Sequence, residues 1–197
     1  ERVIVPQLAR SYGVFFTAEE VKGRRHFGAK IIPARGAWIE MEAGSDGDIA
    51  VRIDRKRKFP ATSLLRVLGA HYDSDLKSLF SANANEKKWI ELALDNDPAK
   101  KIEDAYVEIH KRLRDGDLAT AANAQEYINS IFSEERYDLS RVGRYRFNQR
   151  FNKPLTEVEL TRKTLSLDDL VTVIRNVIAL ENDPEAMEDN IDHLGSR

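Results

Sequence analysis

The chain has 197 residues, and its 31 Lys and Arg nearly balance its 33 Asp and Glu, which leaves a formal net charge of -2. Hydrophobic residues make up 42% and charged residues 32%, so the composition excludes a disordered chain and favours one folded domain, or two small lobes that share a core. Without a net positive charge the chain cannot bind a polyanion over its whole surface, so any nucleic-acid contact must be local.

Several classes of site and location are excluded by missing residue types and patterns. The sequence contains no cysteine, which excludes disulfides, thiolate metal sites and cysteine nucleophiles and is compatible with a reducing cytoplasm. No apolar run approaches the ~20 residues that span a bilayer, and no signal-peptide pattern is present, so we expect no membrane contact. The chain starts at Glu1 without Met and stops at Arg197 without a tail, and we expect a piece of a longer polypeptide.

The first sixty residues predict β-strands in an antiparallel meander with one buried face. Turn residues separate short apolar segments, most clearly in the "GSDGD" cluster at 44–48. Alternation of apolar and polar residues with a period near two indicates strands that are buried on one side. The strand segments are "RVIV" (2–5), "GVFF" (13–16), "AKII" (29–32), "AWIEME" (37–42) and "IAVRID" (49–54).

From Pro60 onward the apolar period becomes helical. Pro60 suits a first helical position because its missing N–H would have no partner there. Asp73 or Ser74 is expected to cap a second short helix, and Ser166 to cap the last one. The apolar stripes are Leu64, Leu65 and Leu68; Leu76, Leu79 and Phe80; Ile102, Tyr106, Ile109 and Leu113; Ala124, Tyr127, Ile128, Ile131 and Phe132; and Leu167, Leu170, Val171, Ile174, Val177 and Ile178. The predicted fold class is α+β: a strand-rich antiparallel N-terminal part followed by a helical part.

No catalytic constellation can be assembled from the sequence. The four histidines have no zinc-site spacing, and His110, beside Ile109 on a predicted helix, is expected at the surface. The paired carboxylates of "DSD" (73–75) and "DNDPAKK" (95–101) are typical of turns and caps. Phosphate-binding glycine loops, dinucleotide fingerprints and nucleophile elbows are missing. The sequence therefore gives no sign of an independent enzyme.

Binding is indicated more strongly, by a basic run in an otherwise balanced chain. Residues 52–58 contain five Lys or Arg among seven residues: Arg52, Arg55, Lys56, Arg57 and Lys58. Phosphates would be natural partners, because each neutralised phosphate releases condensed counterions. The same pattern is also typical of a solvated strand end. A targeting peptide is disfavoured, because the flanking apolar residues Ile53, Phe59 and Leu64 tie the run into the fold.

Two further features have open interpretations. Arg141, Arg144, Arg146, Arg150 and Lys153 alternate with Tyr145, Phe147 and Phe151, which could be a nucleic-acid face, although an ordinary amphipathic segment with core aromatics is favoured. Trp38 could be an exposed stacking platform for a base, although a tryptophan at a strand start is more often core.

Five segments, taken in order, resemble the lobe region of the bacterial DNA-directed RNA polymerase β subunit. The resemblance runs essentially from end to end. It implies a lobe domain over 1–197, with 1–16 and 183–197 as flanking segments that join the protrusion and fork region. The segments are "RVIVPQLARSYGVFF" (2–16), "AKIIPARGAWIEME" (29–42), "VRIDRKRKFPATSLLRVLG" (51–69), "RYDLSRVGRYRFNQRF" (136–151) and "NIDHLGSR" (190–197).

The resemblance implies a role in DNA-templated transcription. In this family the lobe forms one jaw of the main cleft, faces downstream duplex DNA and the non-template strand, and touches the sigma factor. The implied partners are DNA, the β′, α and ω subunits, sigma factor and transcription regulators, with a cytoplasmic, nucleoid-associated location. The polymerising centre and its Mg²⁺ lie in β′ in this family, so we expect no cofactor in this chain and no nucleotidyl transfer by it alone.

Site residues follow from the family's motifs. The non-template-strand pocket of the family corresponds here to Arg10, Ile191, Asp192 and Arg197, and the stacking tryptophan of "RGxW" to Trp38. Val5 and Gln7 match the edge of the rifamycin-binding region. The basic segment at Arg52, Asp54, Arg55, Lys56, Arg57 and Lys58 then becomes an edge that faces the cleft. Pro6 and Tyr12 depart from the usual "SQLxRSPG" pattern around Arg10.

Two other interpretations compete with this one. A stand-alone nucleic-acid-binding or regulatory protein could have borrowed the domain. An independent enzyme would need a polar pocket with perturbed pKa values, which the sequence does not indicate.

Overall fold

The computed structural model describes residues 12–183, and these contain five β-strands and eight α-helices. The strands form one antiparallel sheet in the order β1-β2-β3-β4-β5. Their bounds are β1 Gly13–Val21, β2 Arg24–Ile32, β3 Ile39–Ala43, β4 Ile49–Ile53 and β5 Phe59–Pro60. The meander expected from the sequence is confirmed for these residues, and "RVIV" (2–5) lies outside them.

The helices follow the sheet along the chain, so the α+β class is confirmed. They are α1 Ala61–Leu68, α2 Asp73–Leu79, α3 Ala84–Asn96, α4 Ile102–Leu113, α5 Ala121–Ile131, α6 Ser140–Arg150, α7 Glu157–Leu160 and α8 Leu167–Asn182.

The alternation of the strands separates a buried face from a polar one. In β3, Ile39 and Met41 are buried while Glu40 and Glu42 are partly exposed. Glu40 lies directly opposite Arg52 across the β3–β4 pair, on the polar face. Helix α8 packs against β2 and β3, α6 packs against β1, and α1 lies between β4 and α4. One continuous core of buried side chains therefore joins sheet and helices.

Helix ends agree with the sequence in part. The Ser166 hydroxyl accepts from the Asp169 N–H at 3.4 Å, and the Asp169 carboxylate accepts from the Ser166 N–H at 3.0 Å, which confirms the expected cap of α8. Pro60 precedes α1 rather than occupying its first position, because it lies in β5 and pairs there with Ala50 of β4. Helix α2 starts at Asp73 itself, so neither Asp73 nor Ser74 is the cap residue.

The expected surface position of His110 is wrong. Its side chain is buried, with its ring centroid 5.4 Å from that of Tyr127 in an edge-on arrangement. The reason is that α4 packs against both α1 and α5, which widens its buried face beyond the single stripe of the sequence pattern.

Candidate nucleic-acid interface

Residues 54–58 of the basic run form an exposed loop between β4 and β5, whereas Arg52 lies within β4. The Lys56 N–H donates to the Ile53 carbonyl at 3.2 Å and closes a tight turn. Asp54 and Arg55 at its centre have φ of 57° and 61°, which are left-handed values. Two such residues match the right-handed twist of a hairpin, but each costs a non-glycine residue about 1–2 kcal/mol. The turn thus presents an arginine at a position where glycine would be easier to place.

The backbone of Trp38 makes two hydrogen bonds with this turn. The Asp54 N–H donates to the Trp38 carbonyl at 2.9 Å, and the Trp38 N–H donates to the Asp54 carboxylate at 3.3 Å. The Arg55 guanidinium carbon lies 5.3 Å from the centroid of the indole ring, within the range of a cation–π contact. Trp38 is partly exposed, whereas the other tryptophan, Trp89, is only 5% exposed.

The structure separates the five basic residues into two groups. Arg52 and Lys58 both lie near the Glu42 carboxylate, at 3.6 and 3.2 Å, and Arg57 lies 3.0 Å from that of Asp115. Arg55 and Lys56 are exposed and pair with no carboxylate of residues 12–183. The uncompensated positive charge is therefore at the tip of the turn, beside Trp38.

The C-terminal part of helix α4 contacts the loop through side chains. The Arg112 guanidinium donates to the Lys58 carbonyl at 2.7 Å and is itself held by Glu108 one turn earlier. This contact and the Arg57–Asp115 pair both join the C-terminal end of the basic segment to the last turn of α4 and the residues just after it.

A cavity of about 470 Å³ adjoins the same turn. Lys56, Arg35 and Arg136 contribute basic groups to its lining, and Asp54 and Glu135 contribute acidic ones. Gly36 allows two segments of the cavity wall to approach closely, because a Cβ at this position would lie 2.8 Å from the Arg136 carbonyl oxygen. Its φ of 119° is also a conformation that favours glycine. The apolar part of the lining comes from Ala37, Ile53, Leu113, Tyr127 and Ile131. The sequence does not predict this cavity, because its walls come from segments far apart in the chain.

The remaining predicted site residues lie outside the described part of the chain. These are Val5, Gln7, Arg10, Ile191, Asp192 and Arg197, and their roles stay predictions. The structure does bring Trp38 and the segment 52–58 together.

Burial raises the pKa of the Asp48 carboxyl at the opposite end of the β3–β4 hairpin, and burial also raises the pKa of the Tyr137 phenol in the core. Within residues 12–183 there is no group of three or more His, Asp or Glu placed to hold a metal ion. None of the helices described is both long and apolar enough to cross a bilayer.

Comparison with known proteins identifies the family. The sequence profile described as RNA polymerase Rpb2, domain 2, matches residues 10–197. The chain belongs to this family. It is 41% identical over 203 residues to the DNA-directed RNA polymerase subunit beta of Dehalococcoides mccartyi (strain BAV1), a match that covers 100% of the chain and 16% of that protein.

Two further relatives, both also DNA-directed RNA polymerase subunit beta, show a similar degree of identity. The subunit of Synechocystis sp. is 39% identical over 199 residues, and that of Nocardioides sp. is 37% identical over 210 residues. Each match covers 100% of the chain and 17% of the relative. The resemblance to the lobe region of the bacterial β subunit is thus confirmed, and the chain spans about one sixth of the length of these relatives.

Proposed function

We propose that the chain acts as the DNA-facing lobe of an RNA polymerase β subunit, forming one jaw of the cleft and contacting downstream duplex and the non-template strand. The observation that carries this proposal is the exposed turn at which Arg55 and Lys56 have no acidic partner among the described residues, beside a partly exposed Trp38. Arginine and lysine neutralise phosphates, and an indole ring can stack on an unpaired base.

The chain's contribution is electrostatic and steric rather than chemical. Its partners are the other polymerase subunits, sigma factor and regulators that reach the lobe, in the cytoplasm, where transcription takes place in bacteria. The Mg²⁺-dependent polymerisation belongs to β′. Arg52, Arg57 and Lys58 are paired with carboxylates of the chain, while Arg55, Lys56 and Trp38 face the nucleic acid.

The proposal is tested in polymerase assembled with the variant Arg55→Ala/Lys56→Ala. Affinity for a DNA fork with a downstream duplex is measured by fluorescence anisotropy over a range of salt concentrations. We expect weaker binding at low salt, and a slope of log affinity against log salt that is less negative by about 0.9 for each phosphate that the variant no longer neutralises.

Arg57→Ala is the matched control, because this arginine lies in the same loop but is paired with Asp115. We expect its salt slope to stay close to that of the parent. Equal slopes for the double variant and the parent would rule out the turn as a DNA-binding element.

A further inference from the structure

The cavity of about 470 Å³ beside the β4–β5 turn combines apolar and charged side chains in its lining. Its volume lies within the ~300–1,000 Å³ that is usual for ligand-binding clefts. The apolar residues come from the segment before β3, from β4, and from α4 and α5: Ala37, Ile53, Leu113, Tyr127 and Ile131. Tyr127 and Ile131 are only partly buried, so some of this apolar surface stays in contact with solvent.

The charged residues of the lining have groups that are available to a ligand. Three are basic and two are acidic, which leaves one excess positive charge: Arg35, Lys56, Arg136, Asp54 and Glu135. The three basic side chains are exposed and pair with no carboxylate of residues 12–183. The Asp54 carboxylate, in contrast, already accepts from the Trp38 N–H. An anionic group that enters the cavity would therefore meet cationic donors without having to displace an internal ion pair.

Backbone hydrogen bonds hold two walls of the cavity in place. The Arg35 N–H donates to the Asp138 carbonyl at 3.1 Å, and the Asp138 N–H donates back to the Arg35 carbonyl at 2.8 Å. On a second wall, the Lys56 N–H donates to the Ile53 carbonyl at 3.2 Å. A ligand thus meets a cavity that is already formed, which lowers the entropic cost of binding.

The apolar part of the lining favours a protein side chain over a nucleobase. The edges of a nucleobase need hydrogen-bonding partners, and among the five apolar residues only Tyr127 carries a polar group. The Arg114 guanidinium carbon already lies 5.4 Å from the centroid of the Tyr127 ring, so a base has less of that ring to stack on. A large apolar side chain would instead be buried against Ile53, Leu113 and Ile131, as the anchor residues of protein–protein interfaces are.

We propose that this cavity is the docking site of a protein partner that inserts one large apolar or aromatic side chain flanked by carboxylates. The inserted side chain fills the apolar part, and Arg35, Lys56 and Arg136 pair with the flanking carboxylates. Lys56 also belongs to the turn that is proposed to contact DNA, so this partner competes with nucleic acid for Lys56. The docking site does not depend on that role, because Arg35 and Arg136 lie outside the turn.

The test uses assembled polymerase and a short blocked peptide with 4-fluorophenylalanine at its centre and acidic residues on both sides. Broadening of the fluorine NMR signal during titration with polymerase gives the affinity. Arg136→Glu is expected to weaken binding about threefold or more, because it reverses a charge of the lining.

Lys88→Glu is the matched control. It reverses an exposed lysine of α3 that lies outside the cavity and pairs with no carboxylate of the described residues. We expect its affinity for the peptide to equal that of the parent.

Two further peptides separate the contribution of the anchor from that of the charges. An unlabelled acidic peptide with alanine at its centre is expected to compete about tenfold less well than one with phenylalanine, because it buries less apolar surface. A labelled peptide with lysines in place of its acidic residues is expected to bind Arg136→Glu more tightly than it binds the parent.

Three results would overturn the inference: no broadening with the parent polymerase, equal affinities of the parent and Arg136→Glu, or equal competition by the phenylalanine and alanine peptides. Binding of fork DNA is measured on the same variants. Weaker DNA binding by Arg136→Glu with unchanged peptide binding assigns the cavity to nucleic acid and also overturns it. Unaltered DNA binding by Arg55→Ala/Lys56→Ala, with peptide binding reduced by Arg136→Glu, overturns only the proposed role of the turn.

Discussion

Arg144 shows how one residue in a basic segment is used for structure rather than for binding. Its side chain is fully buried and makes a two-pronged contact with the Asp169 carboxylate, at 2.9 and 3.0 Å. It also donates to the carbonyls of Arg162 at 2.7 Å and Thr164 at 2.6 Å. Because Asp169 also accepts from the Ser166 N–H, this one pair joins α6 to the first turn of α8.

Asp169→Ala should lower the free energy of unfolding by about 3–5 kcal/mol, because it leaves the Arg144 charge buried without its partner. Asp168→Ala, at the preceding position and with an exposed carboxylate paired to Lys153, should lower the free energy of unfolding by less than about 1 kcal/mol. Urea denaturation of both variants measures the difference. Similar destabilisation in the two would mean that the buried pair contributes no more than a surface pair.

At the scale of elements, the β4–β5 turn has a local conformation that conflicts with its residue type. Arg55 has φ of 61°, a left-handed value that is unfavourable for every L residue and accessible to glycine. The sheet and α4 hold the turn closed from both ends, through the Val51–Phe59 pairing and the Arg112–Lys58 hydrogen bond. The arginine is thus placed beside Trp38 at the expense of local backbone energy.

Arg55→Gly should therefore be more stable than Arg55→Ala by about 1 kcal/mol, since both remove the cation–π interaction and only glycine relieves the backbone. Arg57 does not have a positive φ, so the variant Arg57→Gly should be no more stable than Arg57→Ala. Thermal unfolding of the four variants tests this. Equal stability of the Gly and Ala variants at position 55 would show that the turn carries no such strain.

At the scale of the whole molecule, sheet and helices share one core rather than two. Buried residues of the sheet, such as Phe27 and Ile39, belong to the same cluster as Leu65 of α1, Ile109 of α4 and Ile174 of α8. The only two tryptophans lie in different parts of the fold, Trp38 next to the sheet and Trp89 in α3. They can therefore report separately on the two parts.

We expect the chain to unfold in one transition. In Trp89→Phe, Trp38 fluorescence and the helical circular dichroism signal should share one urea midpoint, and in Trp38→Phe the Trp89 fluorescence should do the same. Separate midpoints for fluorescence and circular dichroism within either variant would contradict a shared core.

Much of the fold was predictable because its signals are local. The alternation of Ile39, Glu40, Met41 and Glu42 predicts a strand with one buried face, and the Ser166–Asp169 spacing predicts the start of α8. Helix α3 was missed, because the turn residues "DNDP" (95–98) that end it indicate a loop more strongly than the apolar positions Trp89, Ile90 and Leu94 indicate a helix. Asp97 does form a local turn bond to the Ala99 N–H at 2.9 Å.

Sequence alone also predicted the family, since five ordered motifs are a one-dimensional property of the chain, and the profile match over residues 10–197 agrees with them. The α+β class and the capped last helix likewise follow from composition and spacing, which act over a few residues.

Only the tertiary structure decided which charges are available for binding. Arg144 and Arg146 are two positions apart in one helix, yet the first is fully buried and the second exposed. Arg57 is neutralised by Asp115, 58 residues away, while its neighbours Arg55 and Lys56 find no such partner in residues 12–183. The physical reason is that an ion pair depends on which distant segment the fold brings within about 4 Å, and local periodicity contains no information about that distance.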